Sequence, residues 1–156
     1  MEVKVNIGDY KIVTSPLDSL ITIGLGSCIG IALYDNKSRV TGLAHIMLPF
    51  SKDFKDNSNP AKFADTCIKL LVKDMEKRGA NLRNIRARIA GGSNMFNMQG
   101  ETIGEKNANA VKVTLKELNI PILAHDLGGN VGRTVTVSAA NGDVYVRKIG
   151  STKVLL

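Results

Sequence analysis

Residues 28–48 read CIGIALYDNKSRVTGLAHIML, two apolar stretches rich in β-branched residues separated by the polar run DNKSR. Residues 29–34 and 40–48 are each long enough for a strand, and the polar run between them is turn material, so the segment reads as a β-hairpin. Its register follows from the loop. A two-residue loop at 37–38 and a four-residue loop at 36–39 both pair positions whose numbers sum to 75. Cys28 then lies opposite Met47. His45, two residues from Met47, points to the same face and becomes a diagonal neighbour of Cys28, about 7–8 Å away between backbones. A three- or five-residue loop would put the two side chains on opposite faces.

Working outward, Val3, Val5 and Ile7 alternate with Glu2, Lys4 and Asn6 in the period of a half-buried strand. From Asn59 the pattern becomes helical: Pro60 suits a first turn, Phe63, Ala64, Cys67, Ile68, Leu71, Val72 and Met75 recur at three and four, and Gly79 ends the run. Ile85, Ala87 and Ile89 form the next strand, with Arg86 and Arg88 placed on its solvent face and Gly91-Gly92 read as a loop turn. A second helix starts near Gly104 and shows Ala108, Val111, Leu115 and Leu118 on one face, with Asn119 as a left-handed terminator before Pro121. Residues 122–124 read as a buried strand. RTVTVSA and DVYVRKI then alternate on either side of Asn141-Gly142, a strong hairpin signal. The expected architecture is an α/β (α+β) single domain over residues 1–156, a mostly antiparallel sheet or sandwich with two main helices on one side.

Composition limits the function. With 156 residues, 44% hydrophobic and 22% charged, the chain fits one soluble globular domain that buries about two-thirds of its unfolded surface without disulfide staples. No apolar stretch approaches the ~20 residues of a membrane span, and MEVKVNIGDY lacks the apolar run of a secretory signal. A cytoplasmic location with no membrane insertion is expected. The formal charge is +7, from 21 Lys+Arg against 14 Asp+Glu. Aromatics at 4% and the absence of Trp argue against a nucleic-acid partner, leaving a solvated basic surface or an acidic protein partner. Two Cys and two His are too few for a closed four-ligand zinc site unless every one is recruited. Neither a metal nor a cofactor is expected.

Chemistry is expected where Cys28 and His45 meet, because a thiol beside an imidazole is activated both by proton transfer and by the charge that results. Such a pair predicts activity rising through the imidazole range and a thiol more reactive than a free one near neutral pH. Gly24, Gly26 and Ser27 precede the cysteine in a short loop whose N–H groups can gather on one spot, making Gly26 and Ser27 candidates for an oxyanion site. It is not a dinucleotide loop: after Gly24 and Gly26 the third glycine, Gly30, comes one position late, and no phosphate-loop lysine follows. Thr22, six residues before Cys28 and on the same face if the strand stays regular, could orient the histidine; Asp126 is the alternative. Cys67 reads as core packing and His125 as a surface or capping residue.

ITIGLGSCIGIALYD, GLAHIMLPFS, IAGGSNMF, TIGEKNA and DLGGNVGRTV occur in this order from about residue 20 to 147, and together they resemble the motif series of CheD, the chemoreceptor glutamine deamidases of bacterial and archaeal chemotaxis. The resemblance implies a nucleophile at Cys28 in the G-S-C motif, a histidine at His45 in A-H-x-x-L-P, and a third member at Thr22. It implies a fold similar to a bacterial toxin deamidase, an α/β sandwich with papain-like chemistry. Ser93 and Lys106 depart from the alanine and arginine frequent in the family. The implied activity is hydrolysis of glutamine side chains to glutamate on methyl-accepting receptors, with no cofactor. The implied partners are the receptors' cytoplasmic helices and the CheC phosphatase. A non-catalytic regulatory partner that activates CheC is the alternative, and retention of both Cys28 and His45 favours the enzyme.

Overall fold

The computed structural model describes residues 1–156. Ten strands, β1 (Glu2–Lys4), β2 (Asp9–Val13), β3 (Ser19–Leu25), β4 (Ile29–Asp35), β5 (Thr41–Ile46), β6 (Ile85–Gly91), β7 (Ile122–Leu127), β8 (Arg133–Ser138), β9 (Val144–Lys148) and β10 (Lys153–Leu155), accompany helices α1 (Ala64–Lys77) and α2 (Ile103–Glu117). The strands form two five-stranded sheets, ordered β1-β3-β8-β9-β10 and β2-β5-β4-β6-β7. Pairing is antiparallel except for β1 with β3 and β6 with β7. As expected, this is an α+β architecture with both helices on one side.

Three layers result. One face of the second sheet carries Ile29, Ile31, Leu33, Ala44, Ile46 and Ile89 against Cys67, Ile68 and Leu71 of α1 and Val111 and Leu115 of α2. Its other face carries Cys28, Ala32, Leu43 and Ala90 against Leu20, Leu25, Val135, Val137 and Val146 of the first sheet. β4 and β5 are therefore buried at every position, and a strand covered on both faces reads as a continuous apolar run instead of alternating. The first sheet has no outer layer, so β8 alternates buried Val135 and Val137 with half-buried Thr134 and Thr136.

The decisive hairpin has the four-residue loop. Tyr34 pairs with Thr41 and Ile29 with Ile46, numbers summing to 75 throughout, and Asp35 N–H donates to the Val40 carbonyl at 3.1 Å. Asp35 fixes the loop, its buried carboxylate accepting from the N–H groups of Lys37, Ser38 and Asn81 at 2.8, 3.1 and 2.8 Å. Burial works against the charged form, but these donors prevail and hold the carboxyl below its usual range. The β8–β9 hairpin repeats the design: Ser138 N–H donates to the Asp143 carbonyl, and Gly142 takes the left-handed position with φ 79°. Asn141-Gly142 thus closes a four-residue loop, not a two-residue one.

Four expectations need correction, and the first is β7, which is not buried: it lies at the edge of its sheet with Leu123 53% exposed. The first helix begins at Ala64, not Asn59. Asn59 caps only a 3-10 turn over Pro60–Lys62, because the Lys62 carbonyl accepts from the N–H groups of both Met47 and Leu48 and holds Phe63 extended. At the N-terminus, the strand ends at Lys4 and leaves Ile7 55% exposed; β2 and the assignment of β3 to the opposite sheet were not evident. Arg88 does not face solvent. Alternation correctly puts it opposite Ile89, but that face meets the other sheet, and its guanidinium donates to the Gly142 carbonyl at 3.1 Å.

Candidate active site

Cys28 immediately precedes β4, at the end of the crossing from the first sheet to the second. His45 lies on β5 opposite Gly30, so the two side chains share the inner face of the second sheet. Gly30, between them, lets the facing sheet approach: a Cβ there would sit 3.0 Å from Leu25 and 3.6 Å from Thr22. Thr22 does join His45, but not by the route its sequence position suggested. It belongs to β3 in the opposite sheet, and the β3–β8 register shifts between Thr22 and Leu25. Strand parity with Cys28 is lost, and Thr22 instead reaches His45 across the sandwich.

That contact fixes the tautomer. The single hydroxyl proton of Thr22 is donated to the Val5 carbonyl at 2.8 Å. The 2.7 Å contact between Thr22 Oγ1 and His45 Nδ1 must then run the other way, with Nδ1–H donating. Nε2 is left as the basic nitrogen, buried and without a partner in the protein. His45 is 1% exposed, and burial pushes its pKa down to about 4. Burial also raises the Cys28 thiol, outweighing the lowering by its own backbone N–H. The resting pair is therefore a neutral thiol and a neutral imidazole. This replaces the expectation of an activated thiolate and of a titration in the ordinary imidazole range.

The loop before Cys28 turns its carbonyls inward. Gly26, Ser27 and Cys28 carbonyls accept, respectively, from Ser93 N–H at 2.9 Å, Asn107 Nδ2 at 3.0 Å and Gly92 N–H at 3.0 Å. The N–H groups of Ser27 and Cys28 have no backbone acceptor. The Ser27 N–H is thus free to donate to a developing oxyanion, joined by the Cys28 N–H, which otherwise faces its own thiol, whereas Gly26 spends its N–H on the Gly24 carbonyl. Gly91-Gly92 is more than a turn. Gly91 has φ 125°, and a Cβ there would lie 2.1 Å from the Cys28 carbonyl oxygen, so only glycine allows β6 this close to Cys28. Behind it, buried Arg133 donates to the Gly91 carbonyl at 3.3 Å and to Ser93 Oγ at 2.8 Å. Ser93 Oγ donates to the Val131 carbonyl at 2.7 Å, work that an alanine could not do.

The other candidates lie elsewhere. Asp126 pairs with Arg133 and Lys148 at 3.4 and 3.3 Å and does not orient His45. His125 is exposed on β7. Cys67 is fully buried on the inner face of α1, with its thiol pushed up to about 12 by burial. Sequence reasoning missed the Val5 carbonyl, which no side-chain pattern signals. It also missed Asn107, which had a signal: a polar residue on the stripe of α2 that buries Gly104, Ala110, Val111 and Leu115.

Comparison with known proteins identifies the family. The family described as CheD chemotactic sensory transduction matches residues 47–148. A Clostridium acetobutylicum protein named probable chemoreceptor glutamine deamidase CheD is 50% identical over 153 residues, covering 96% of this chain and 92% of that protein. The chain belongs to the CheD family. Similarly named CheD proteins of Clostridium kluyveri and Clostridium tetani are 51% and 50% identical, covering 96% of this chain and 94% and 92% of their own lengths. A Bacillus licheniformis hypothetical protein, YfiH, overlaps 76% of this CheD chain and 49% of its own, with 17% identity and a TM-score of 0.47. No helix of this CheD chain is long and apolar enough to cross a membrane.

Proposed function

We propose that this chain hydrolyses glutamine side-chain amides on chemoreceptors to glutamate, with Cys28 as nucleophile and His45 as general base. The observation that carries this reading is the chain of hydrogen bonds from His45 Nδ1 through Thr22 to the Val5 carbonyl. It leaves a basic, unpartnered Nε2 on the face of Cys28. Cys28 Sγ attacks the amide carbon while Nε2 takes the thiol proton. The N–H groups of Ser27 and Cys28 receive the oxyanion. As the C–N bond breaks, Nε2 returns the proton to the leaving ammonia, producing a thioester. Water deprotonated by Nε2 then attacks the thioester carbon, releasing glutamate and the Cys28 thiol. This sequence needs only the residues named and water.

The residual exposure of Cys28, 8%, suits a slender side chain presented from a protein surface. Beside it, Met95 packs over Gly26, and Phe96 and Met98 are exposed, an apolar rim for a receptor helix. The +7 charge favours encounter with acidic helices in the cytoplasm. CheC, the partner implied by the motif series, would compete at this mouth. Mass spectrometry of a receptor fragment after incubation tests the reading: specific glutamines should become glutamates, and an unchanged fragment would refute it.

Thr22 supplies a finer test. Thr22→Val leaves the buried Nδ1–H without an acceptor, at about 1–3 kcal/mol of stability, and frees the imidazole to take the wrong tautomer. The turnover rate should fall roughly 100-fold. Thr22→Ser, which keeps the hydroxyl, should retain most of it.

A further inference from the structure

Asn107 is fully buried on α2, yet none of the chemistry above requires it to touch a substrate. Its Nδ2 donates to the Ser27 carbonyl at 3.0 Å and to the Met47 carbonyl at 2.9 Å. These acceptors are one residue before Cys28 and two after His45. They also mark where the β4–β5 ladder stops: Ile29 with Ile46 is its last pair, and Met47 N–H turns away to the Lys62 carbonyl. Beyond that pair, the amide nitrogen of Asn107 is what joins the two diverging backbones.

The arrangement carries a cost. With both Nδ2 protons committed, Asn107 Oδ1 is buried with no donor. An unpaired buried acceptor is destabilising, and a residue needed only to fill this space would be apolar. We propose that Asn107 is a positioning residue: by tying the Ser27 carbonyl to the Met47 carbonyl it holds the Cys28 thiol within reach of His45. The inference depends on Cys28 and His45 being nucleophile and base. It assigns Asn107 no contact with the reacting atoms.

Asn107→Ala is the test, with Thr114→Val as its control. Thr114 is buried on the same helix and its hydroxyl bonds only the Ala110 carbonyl, at 2.8 Å, so its loss loosens α2 without touching the clamp. In Asn107→Ala, kcat on a receptor fragment should fall roughly 100-fold, the scale of a misplaced reacting group, while KM stays within about twofold. Alkylation of Cys28 by iodoacetamide at neutral pH should slow, because His45 Nε2 is no longer placed to take the thiol proton. Thr114→Val should keep both kcat and the alkylation rate. If Asn107→Ala loses its folded near-ultraviolet spectrum, Asn107→Ser, which can keep one donor, is measured in the same assays. Wild-type kcat and alkylation in the Asn107 variant would overturn the inference, as would equal losses in Thr114→Val at a matched melting temperature. Cys28→Ala separates the two levels. An inactive Cys28→Ala beside a fully active Asn107→Ala defeats the positioning role alone, whereas an active Cys28→Ala defeats the deamidase reading and this inference with it.

Discussion

Cys28→Ala is expected to reduce deamidation to the uncatalysed background, a loss of about 10⁵-fold or more, because no neighbouring group can form the thioester. The fold should survive. Cys28 lies at the edge of the inter-sheet core, and its backbone is held by the Ser27 and Cys28 carbonyls, which the substitution leaves in place. Cys67→Ala is the matching control: it opens a small cavity under α1, costing about 1–2 kcal/mol, and should keep full turnover per folded molecule. Intact-mass measurement after thiol labelling of the native protein, together with a melting curve, distinguishes loss of chemistry from loss of structure.

His45→Asn should lower the turnover rate by about a thousandfold, the range in which a positioned general base operates, and should remove an acid limb. Because burial holds His45 neutral down to about pH 4, kcat/KM of the free enzyme should fall near pH 4, about two and a half pH units below an unperturbed imidazole. A limb centred near pH 6.5 would mean that His45 is not the base or not buried. The same shift links to stability. An imidazole that protonates at about 4 when folded and about 6.5 when unfolded binds more protons in the unfolded chain between those values. Its contribution is present above about pH 6.5 and lost as pH falls toward 4, on the order of 3 kcal/mol. Thermal melts over that interval should show a shallower fall in His45→Asn than in wild type.

What could be read from the chain was local and periodic. The polar run from Asp35 to Arg39 with its apolar flanks fixed the hairpin register, and with it the shared face of Cys28 and His45, since a side-chain period of two leaves few alternatives. Of the two grounds for Thr22, the motif resemblance and strand parity with Cys28, the structure does not support parity. The true approach of Thr22 depends on the β3–β8 irregularity and on the stacking of two sheets, which no local pattern encodes. Arg88 shows the same limit: alternation tells which residues are opposite, not whether the second face is covered. The protonation state of His45 depends on 1% exposure in the folded chain, a property of packing and not of spacing. Asn107 was legible in principle as a polar residue on an apolar helical stripe, but its partners, 60 and 80 positions away, were not.

The central claim, hydrolysis of a glutamine amide through Cys28, is tested most directly by incubating the protein with a chemoreceptor fragment in water enriched in heavy oxygen and mapping the peptides by mass spectrometry. The account predicts particular glutamines converted to glutamates that carry one solvent oxygen each, with wild-type protein and not with Cys28→Ala. Unmodified glutamines after incubation with folded wild-type protein, or equal incorporation by Cys28→Ala, would contradict it.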